Sequence, residues 1–362
     1  MANNSLLNRL QWAWAQPRLC WPFVALVPFS YLVAAVVAIR RYVYAAKLKS
    51  AWRAPVPVVV VGNLYVGGTG KTPLTLALVE LLKQHGWQPG IVSRGYKAEL
   101  QPQPIAVLPS SDARAVGDEP LLLAQRAGCP VYVHRRRALA AQALLAAYPD
   151  VNILLCDDGL QHYALARDLE IVVMDSRGMG NGYLLPAGPL REPVSRLQSI
   201  PVWACQASMP PAHLKQPPQL VIAPFHLRSQ GLKTMRTQQA IAWTELRGQR
   251  VLVFAGIGAP ERFFSRMQAW LGEAGAGEVM FHAFPDHHAY TAPELNALID
   301  AHQAAYVVAT EKDAVKCALI VDQLSRTLKG PPLYLEVSAE LASPTQTALL
   351  GLISKSRSNL IS

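Results

Sequence analysis

Cysteine and charge are both scarce in this sequence of 362 residues. Its five cysteines are widely scattered with no C-x-x-C pair, so neither a disulfide framework nor a zinc site is indicated, and a reducing compartment fits best. Charged residues make up 16% of the chain and hydrophobic residues 51%, which excludes a disordered or fibrous protein. The chain is therefore expected to fold, and it is long enough for two domains and an additional segment.

Acidic residues are the minority among the charged ones. The chain has 34 Lys and Arg against 24 Asp and Glu, which gives a formal net charge of +10. Such an excess favours an anionic partner, whether a nucleic acid, a membrane surface or a phosphorylated small molecule. Charge alone does not choose among these three.

Charge is missing altogether from Cys20 to Ile39, a run of about 20 residues that is just long enough to cross a bilayer. Pro22 and Pro28 should kink this run or delay the start of its helix, and Arg40-Arg41 stands where a signal peptide would have its cleavage site. We expect residues 1–48 to form a membrane-associated helical segment that lies at the interface rather than spans it, with spanning and a buried core helix as the alternatives.

A strand and a glycine-rich turn follow this segment. Val58–Val61 are four consecutive β-branched residues, typical of a strand buried on both faces, and Lys71-Thr72 would open a helix. The strict pattern G-x-x-x-x-G-K-[ST] requires Gly where this chain has Tyr65, but the strand, the loop and the Gly-Lys-Thr end remain. The stretch predicts a loop that binds the phosphates of a nucleoside triphosphate, and we assign this binding to Gly67, Gly68, Thr69, Gly70, Lys71 and Thr72.

Strands that are apolar runs alternate with helical patterns through the rest of the chain. This pattern predicts a parallel sheet covered on both faces, with ligands at the carboxyl ends of its strands. We predict an α/β fold with a P-loop NTPase-like core and a mostly parallel sheet, a second smaller α/β domain and the amino-terminal helix. The expected ranges are 1–48 for the membrane segment, 49–229 for the P-loop domain and 230–362 for the smaller domain.

Two carboxylates end the apolar strand at Asp157-Asp158. A carboxylate on the strand beside the phosphate-loop strand, together with the Thr72 hydroxyl, would complete a Mg²⁺ site, although a strand-ending Asp can also simply cap a turn. The residues leave open which of the two carboxylates touches the metal.

Asp175 offers a competing arrangement, because Asp175-Ser176-Arg177-Gly178 has the D-x-x-G spacing of GTPases and also follows an apolar strand. A guanine-reading [NT]-K-x-D is missing, since Thr310-Glu311-Lys312-Asp313 has the wrong spacing. The sequence therefore disfavours a GTPase.

Phosphoryl transfer to an alcohol also requires a base near the acceptor and cations near the transferred group. Composition does not rank the candidates, and each of them alone could be a helix cap or a solvated side chain. The candidate bases are Asp118, Glu119, His162, Asp286, His287 and His288, and the candidate cations are Arg94, Arg137, Arg177 and Arg191.

A set of motifs in one order covers about Pro57 to Lys316, most of the chain. They are Gly62-Asn63 with Val66 to Pro73, Ser93-Arg94-Gly95-Tyr96, Gly117-Asp118-Glu119-Pro120, Asp157-Asp158-Gly159-Leu160-Gln161-His162, Gly180-Asn181-Gly182, Leu185 to Glu192, Phe284-Pro285-Asp286-His287-His288 and Thr310-Glu311-Lys312-Asp313. With these motifs the sequence resembles the tetraacyldisaccharide 4'-kinases, which phosphorylate a membrane-bound glucosamine disaccharide during lipopolysaccharide assembly. The loop of that family is itself shifted from the strict pattern.

The resemblance implies roles for particular residues. Asp118 would act with His287 as base and orienting partner on the sugar hydroxyl, while Lys71, Arg137 and Arg191 would stabilise phosphate charge. Asp157 and Asp158 would serve Mg²⁺, and the two domains would close on ATP.

The expected function is ATP- and Mg²⁺-dependent transfer of the γ-phosphate to the 4'-hydroxyl of a tetraacyldisaccharide 1-phosphate, which forms lipid IVA at the cytoplasmic face of the inner membrane. The expected partners are this lipid and the membrane surface, with no nucleic acid and no obligate protein partner. Two alternatives from other classes are a membrane-tethered regulatory NTPase and a non-enzymatic lipid-binding scaffold.

Overall fold

A computed structural model describes residues 10, 12–21, 23–96, 98–99, 102–206, 209–210, 214–324 and 327–361. Its helices are α1 (Val27–Ala45), α2 (Lys71–Gln84), α3 (Ala113–Val116), α4 (Asp118–Ala127), α5 (Arg137–Ala147), α6 (Pro260–Glu273), α7 (Ala292–His302), α8 (Glu311–Cys317) and α9 (Ser343–Ile361). Short 3₁₀ helices lie at Phe23–Leu26, Val194–Ser199, Trp243–Leu246 and Val321–Gln323.

The strands alternate with these helices along most of the chain. They are β1 (Val58–Gly62), β2 (Pro89–Ser93), β3 (Ile105–Ala106), β4 (Val131–Val133), β5 (Ile153–Asp157), β6 (Leu169–Met174), β7 (Val202–Gln206), β8 (Val221–Thr234), β9 (Ala240–Ile241), β10 (Val251–Ala255), β11 (Val279–Ala283), β12 (Tyr306–Thr310) and β13 (Leu333–Leu341). The predicted α/β class with a mostly parallel sheet is confirmed.

The chain divides into two compact units. The first unit comprises Met1–Ser110, Leu123–Leu227 and Ala339–Ser362, and the second comprises Ser111–Leu122 and Arg228–Ser338. This division differs from the expected range 230–362, because the carboxyl-terminal α9 contacts β6 and buries Leu349 and Ile353 in the first unit. It also places Asp118 in the second unit, because residues 111–122 belong to that unit although the segments before and after them in the chain belong to the first.

The first unit is built around β1. Its strand order is β8-β7-β6-β1-β5-β2-β4-β3. In this part of the described chain β3 pairs antiparallel with β4, and the other neighbouring strands pair in parallel. β1 lies between β5 and β6, so every residue of Val58–Gly62 is buried, as the β-branched run predicts. The carboxyl end of β1 lies beside that of β5, where Val61 pairs with Asp157.

Helix α1 differs from its expected form at its start and end. Pro28 occupies the first turn, where a missing N–H costs nothing, and the helix continues past Arg40-Arg41 to Ala45. With the preceding 3₁₀ turn it forms a 23-residue apolar helix, Phe23–Ala45, long enough by length and composition to cross a membrane. The helix therefore starts before Pro28 and does not end before Arg40-Arg41.

One face of α1 is attached to the first unit and the rest is exposed. The Ser30 hydroxyl is buried, donates to the carbonyl of Leu184 at 2.7 Å and accepts from the Ala187 N–H at 3.0 Å. Val33, Ala34 and Val37 pack against the core of this unit. The exposed side chains include Phe29, Leu32, Val36 and Ile39, each more than half exposed.

The strands of the second unit follow the order β11-β10-β12-β13, and β9 pairs antiparallel with β8. Its core is separate and includes Phe254, Phe284 and Tyr290. The Asp313 carboxylate is fully buried and joins three segments, because it accepts from the Gly256 N–H, the Tyr290 hydroxyl and the Thr310 hydroxyl. The start of α8, the end of β10 and the 284–290 loop are therefore fixed to one another.

Candidate active site

The loop between β1 and α2 is shaped by a buried asparagine. Asn63 follows β1 directly, and its side-chain amide donates to the Gly67 carbonyl at 3.2 Å and to the Thr69 hydroxyl at 3.1 Å. Gly67 and Gly70 have φ angles of 94° and 89°, a region that favours glycine. The turn is thus held from inside by Asn63, and Gly70 leads into α2 at Lys71.

Tyr65, which replaces the expected glycine, has a structural role. Its ring is buried, and the Arg177 guanidinium lies 4.4 Å above the ring centroid. Arg177 also donates to the Gly68 carbonyl at 2.5 Å, and both oxygens of Asp175 accept from its Nε at 3.0–3.1 Å. Asp175 of the D-x-x-G sequence therefore positions an arginine that supports the phosphate loop.

Lys71 and Asp158 form the charged centre of the first unit. Lys71 Nζ donates to Asn63 Oδ1 at 3.2 Å and lies 3.6 Å from Asp158 Oδ1. Arg191 donates to both oxygens of Asp158, at 3.0 and 2.8 Å. Burial raises the pKa of the Asp158 carboxyl, but Lys71 and Arg191 outweigh it and hold that pKa well below the usual 3.8.

Arg137 lies at the start of α5, buried, and supports the end of β5. It donates to the carbonyls of Asp157 and Asp158, at 3.3 and 2.6 Å. These two hydrogen bonds therefore fix the backbone that carries the two carboxylates. Asp157 is buried at the end of β5, and Thr72 lies in the first turn of α2.

A second polar group follows these residues in the same unit. Glu192 is buried and accepts from Gln161 at 3.2 Å and from the Tyr163 hydroxyl, and Gln161 also donates to the Asn63 carbonyl at 3.2 Å. Sequence reasoning quoted Gln161 and Glu192 only as parts of motifs. Their link to Asn63 shows that they support the phosphate loop.

The second unit brings together Asp118 and His287. Asp118 is the first residue of α4, and its Oδ2 lies 3.0 Å from Nδ1 of His287. The His287 backbone has φ 61°, and its N–H donates to the Gly256 carbonyl at 3.2 Å. Burial raises the pKa of Asp118, but the His287 hydrogen bond and the charge of Lys312 lower it to about 2. Asp118 is therefore ionised at neutral pH.

Lys312 completes this group, and sequence reasoning gave it no role. Its Nζ lies 3.0 Å from Glu119 Oε1, 3.8 Å from Asp118 Oδ2 and 3.5 Å from His287 Nε2. The signal was present in the sequence, since Lys312 belongs to the motif Thr310-Glu311-Lys312-Asp313. Nothing in the spacing alone placed that motif beside Asp118.

The remaining candidates lie elsewhere or have other partners. Burial and nearby arginines lower the pKa of His162 to about 3, so it is neutral, and Arg94 is exposed. His288 is paired with Glu294 at 2.8 Å and stacks on Phe284. Among the described residues, no three His, Cys, Asp or Glu side chains are grouped to hold a metal by themselves.

A phosphate loop at the end of β1, with carboxylates at the end of the neighbouring β5, is typical of a P-loop phosphotransferase. The family is more specific. Residues 23–354 match the model of the tetraacyldisaccharide-1-P 4'-kinase family, and the chain belongs to this family.

Individual relatives agree with this assignment. The chain is 45% identical over 356 residues to the tetraacyldisaccharide 4'-kinase of Dechloromonas aromatica, with 96% of this chain and 97% of the relative covered. It is 46% identical over 300 residues to the enzyme of the same name from Methylobacillus flagellatus, with 82% and 84% covered. Both names describe kinases, so the predicted enzyme class is confirmed.

A solved structure gives the same fold. The "apo" form of LpxK from Aquifex aeolicus in complex with ATP superposes with a TM-score of 0.73 at 25% identity, covering 92% of this chain and 99% of that one. The predicted P-loop fold and family resemblance are confirmed.

Proposed function

We propose that this protein transfers the γ-phosphate of ATP to the 4'-hydroxyl of a tetraacyldisaccharide 1-phosphate and so forms lipid IVA. The observation that carries the proposal is the phosphate loop, in which Asn63 fixes both the turn and the Lys71 ammonium at the start of α2. The family and the names of the relatives support the acceptor.

The first unit supplies the groups for the nucleotide. The N–H groups of Gly67, Gly68, Thr69, Gly70, Lys71 and Thr72 and the N-terminus of α2 form an anion site of the kind that holds phosphates. Lys71 and Arg191 are the cations that offset charge on the γ-phosphoryl oxygens, since both lie at Asp158 beside the loop. Arg137 has the same role in our proposal, and it also donates hydrogen bonds to the backbone carbonyls of Asp157 and Asp158.

The donor set at this site fits Mg²⁺. Hydroxyl and carboxylate oxygens are the hard ligands that Mg²⁺ prefers, and Thr72, Asp157 and Asp158 supply them from α2 and from the end of β5. A bound Mg²⁺ would neutralise developing charge on the phosphates. Asp158 is paired with Lys71 and Arg191, so its oxygens would be shared between these cations and the metal.

The second unit supplies the proton acceptor. Asp118 is ionised and accepts a hydrogen bond from His287, so it can take the proton of the attacking hydroxyl while His287 holds its orientation. The reaction therefore needs no strongly basic side chain, because the proton is transferred as the bond to phosphorus forms.

The acceptor's acyl chains require a surface, and α1 offers one. Its exposed apolar face and the basic residues that follow, including Arg40, Arg41 and Lys47, fit docking on an anionic leaflet. We propose that the protein works at the cytoplasmic face of the inner membrane, as a peripheral or embedded enzyme.

The test incubates purified protein with γ-labelled ATP, Mg²⁺ and the acylated disaccharide 1-phosphate and follows the label. We expect label on the lipid and none on the matched disaccharide whose 4'-hydroxyl is already phosphorylated. Release of labelled phosphate without any lipid acceptor would favour a regulatory NTPase instead. Failure to bind ATP would leave only a lipid-binding scaffold.

A further inference from the structure

The position of Lys312 determines which ring nitrogen of His287 carries the proton. Its ammonium faces Nε2 of His287 at 3.5 Å, while Nδ1 on the other side of the same ring lies 3.0 Å from Asp118. An ammonium group has only donors, so the nitrogen that faces it must present its lone pair. The ring proton is then left on Nδ1, where it is donated to Asp118.

We propose that Lys312 is a positioning residue that fixes His287 as the Nδ1–H tautomer and thereby orients Asp118 as the proton acceptor. The inference rests on the proposed function for its catalytic meaning, although the tautomer itself can be observed without turnover. Lys312 acts through His287 and Asp118 rather than on the substrate.

The position of Lys312 is set by the backbone around it. Thr310 caps α8 by accepting from the Asp313 N–H at 3.1 Å, and the Asp313 carboxylate ties the start of this helix to Gly256 and Tyr290. The Gly256 carbonyl in turn accepts from the backbone N–H of His287. Lys312 and His287 are therefore held on segments that share one anchor, which makes their approach a property of the fold.

Glu119 holds the ammonium from the other side. Its Oε1 lies 3.0 Å from Lys312 Nζ, and the charges of Glu119 and Asp118 raise the pKa of Lys312 above its ordinary value although burial lowers it. The lysine is therefore charged throughout the working pH range. A charged lysine at this place offers only donors to Nε2 of the imidazole.

An opposing carboxylate makes this constraint necessary. Asp286 Oδ1 lies 3.9 Å from His287 Nε2, so removal of the lysine charge would leave the ring between two carboxylates, Asp118 and Asp286. Two flanking carboxylates favour an imidazolium, whose charge would make Asp118 a poorer acceptor. The ionisable groups that face this ring or its partners are Asp118, Glu119, Asp286, Lys312 and, one turn further along α8, Lys316 with Asp313.

The experiment replaces the ammonium by an apolar group of similar length, Lys312→Met, in the full-length protein. ¹⁵N NMR of histidine-labelled protein, with His287 assigned from a His287→Gln spectrum, reports the state of both ring nitrogens. We expect an unprotonated Nε2 in the wild type near pH 7.5 and a protonated Nε2 in Lys312→Met. The acid limb of kcat/KM should move up by about one pH unit, with the KM for ATP changed less than about twofold.

Two further variants distinguish the effect of the Lys312 charge beside His287 from the effect of losing any positive charge in this unit. Lys329 lies on the surface of the same unit, where its Nζ is bonded to Gln249, so Lys329→Met removes one positive charge without touching His287. It should leave the NMR spectrum and the pH profile unchanged, and Lys312→Arg should restore the wild-type tautomer. If Lys312→Met does not fold, Lys312→Gln replaces it; its amide both donates and accepts, so both Nε2 states should appear.

An Nε2 that stays unprotonated in folded Lys312→Met or Lys312→Gln, with an unmoved acid limb, would overturn the inference. Asp286→Asn added to Lys312→Met should return the ring to the Nδ1–H form, because the opposing carboxylate is gone. A wild-type protein that shows the expected tautomer but phosphorylates no lipid would instead refute the proposed function and leave the assignment of Lys312 to His287 intact.

Discussion

At the residue scale, Asn63 connects the phosphate loop to the cation that serves it. It is fully buried, and one side chain satisfies the Gly67 carbonyl, the Thr69 hydroxyl and the Lys71 ammonium. A buried polar group that loses such partners costs about 1–3 kcal/mol. The shape of the turn and the direction of Lys71 therefore depend on the same residue.

We expect Asn63→Ala to raise the KM for ATP by roughly 10-fold and to lower kcat, because the loop loses its internal support and Lys71 loses its acceptor. Asn63→Asp is the matched variant, since it keeps the acceptor for Lys71 and removes both donors. It should fall between wild type and Asn63→Ala. Steady-state kinetics with varied ATP decide the matter, and a KM unchanged in both variants would contradict the role given to Asn63.

Asp118 carries the proton in our mechanism, so Asp118→Asn should lower kcat by ~10²-fold or more while the KM for ATP changes little. The amide keeps the size of the side chain but has no basic oxygen pair for the hydroxyl proton. Asp150→Asn, an exposed carboxylate in the first unit, is the control and should keep wild-type turnover. Near-normal kcat in purified Asp118→Asn would remove Asp118 from the reaction.

The same carboxylate should contribute to stability in a pH-dependent way. The pKa of Asp118 is about 2 in the folded protein against an ordinary 3.8, so its contribution is complete above about pH 4 and is lost as the pH falls toward 2. The size is about 2 kcal/mol for a shift of this extent. Urea unfolding at pH 5 and pH 3 should show a smaller loss of stability for Asp118→Asn than for wild type. Equal losses would contradict the lowered pKa.

At the element scale, the strand β1, the loop and the helix α2 could be predicted from the sequence because their signals are local. Four β-branched residues, glycines for the turn and a Lys-Thr helix start lie within fifteen positions. The position of Asp157 at the end of a buried strand could also be predicted, because the apolar run before it is typical of such a strand. Tyr65 was recognised only as a departure, since its partner Arg177 lies far along the chain and the sequence does not show their contact.

Helix α1 shows where a local signal was insufficient. Pro28 was expected to shorten the helix, but a proline in the first turn is tolerated, and the helix runs on through Arg40 and Arg41. The hydroxyl of Ser30 forms hydrogen bonds with Leu184 and Ala187, about 150 residues away in the chain. The hydrophobic periodicity of the sequence does not predict such a bond.

Ser30→Ala should therefore destabilise the attachment of α1. The Ala187 N–H and the Leu184 carbonyl would lose their partner in a buried place, which costs about 1–3 kcal/mol. Denaturant unfolding, with an intrinsic probe in the first unit such as tryptophan fluorescence, measures the loss. Ser50→Ala on the exposed segment after α1 is the control, and a Ser30→Ala protein as stable as that control would show that the bonds contribute nothing.

At the scale of the whole molecule, the proposed function requires the enzyme to reach an acylated substrate in a membrane. The exposed face of α1 presents Phe29, Leu32, Val36 and Ile39 next to arginines and lysines. Burial of apolar side chains and attraction of basic residues to an anionic leaflet act together in such a helix. The distribution of the protein between membrane and solution should therefore depend on this face.

We expect the triple variant Leu32→Gln, Val36→Gln, Ile39→Gln to bind vesicles of mixed neutral and anionic lipid at least ~10-fold more weakly, because three apolar side chains no longer enter the bilayer. The matched control is Leu108→Gln, Met209→Gln, Leu319→Gln, three exposed apolar residues elsewhere on the protein. Vesicle flotation measures both, and equal weakening in the two triple variants would refute the role of α1. Release of the wild type by high salt would mean peripheral binding, and retention an embedded helix.

The chain path also belongs to this scale. The sequence suggested domains in consecutive order, but α9 returns to β6 in the first unit and residues 111–122 belong to the second. Packing between distant segments depends on which apolar faces fit each other. Hydrophobic periodicity shows that a helix has an apolar face, but it does not show which element that face packs against.

By itself the sequence determined the class of chemistry, which is phosphate binding and transfer. A buried strand, a glycine-rich turn and a Lys-Thr helix start follow one another directly, and this order is typical of a phosphate-binding loop. Tertiary structure decided which distant side chains complete that chemistry. Lys312 reaches His287 and Glu119, and Arg177 reaches Tyr65 and Gly68, only because folded segments far apart in the chain are brought within hydrogen-bonding or ring-stacking distance. Directional contacts depend on distance in space, and a linear pattern contains no such distance.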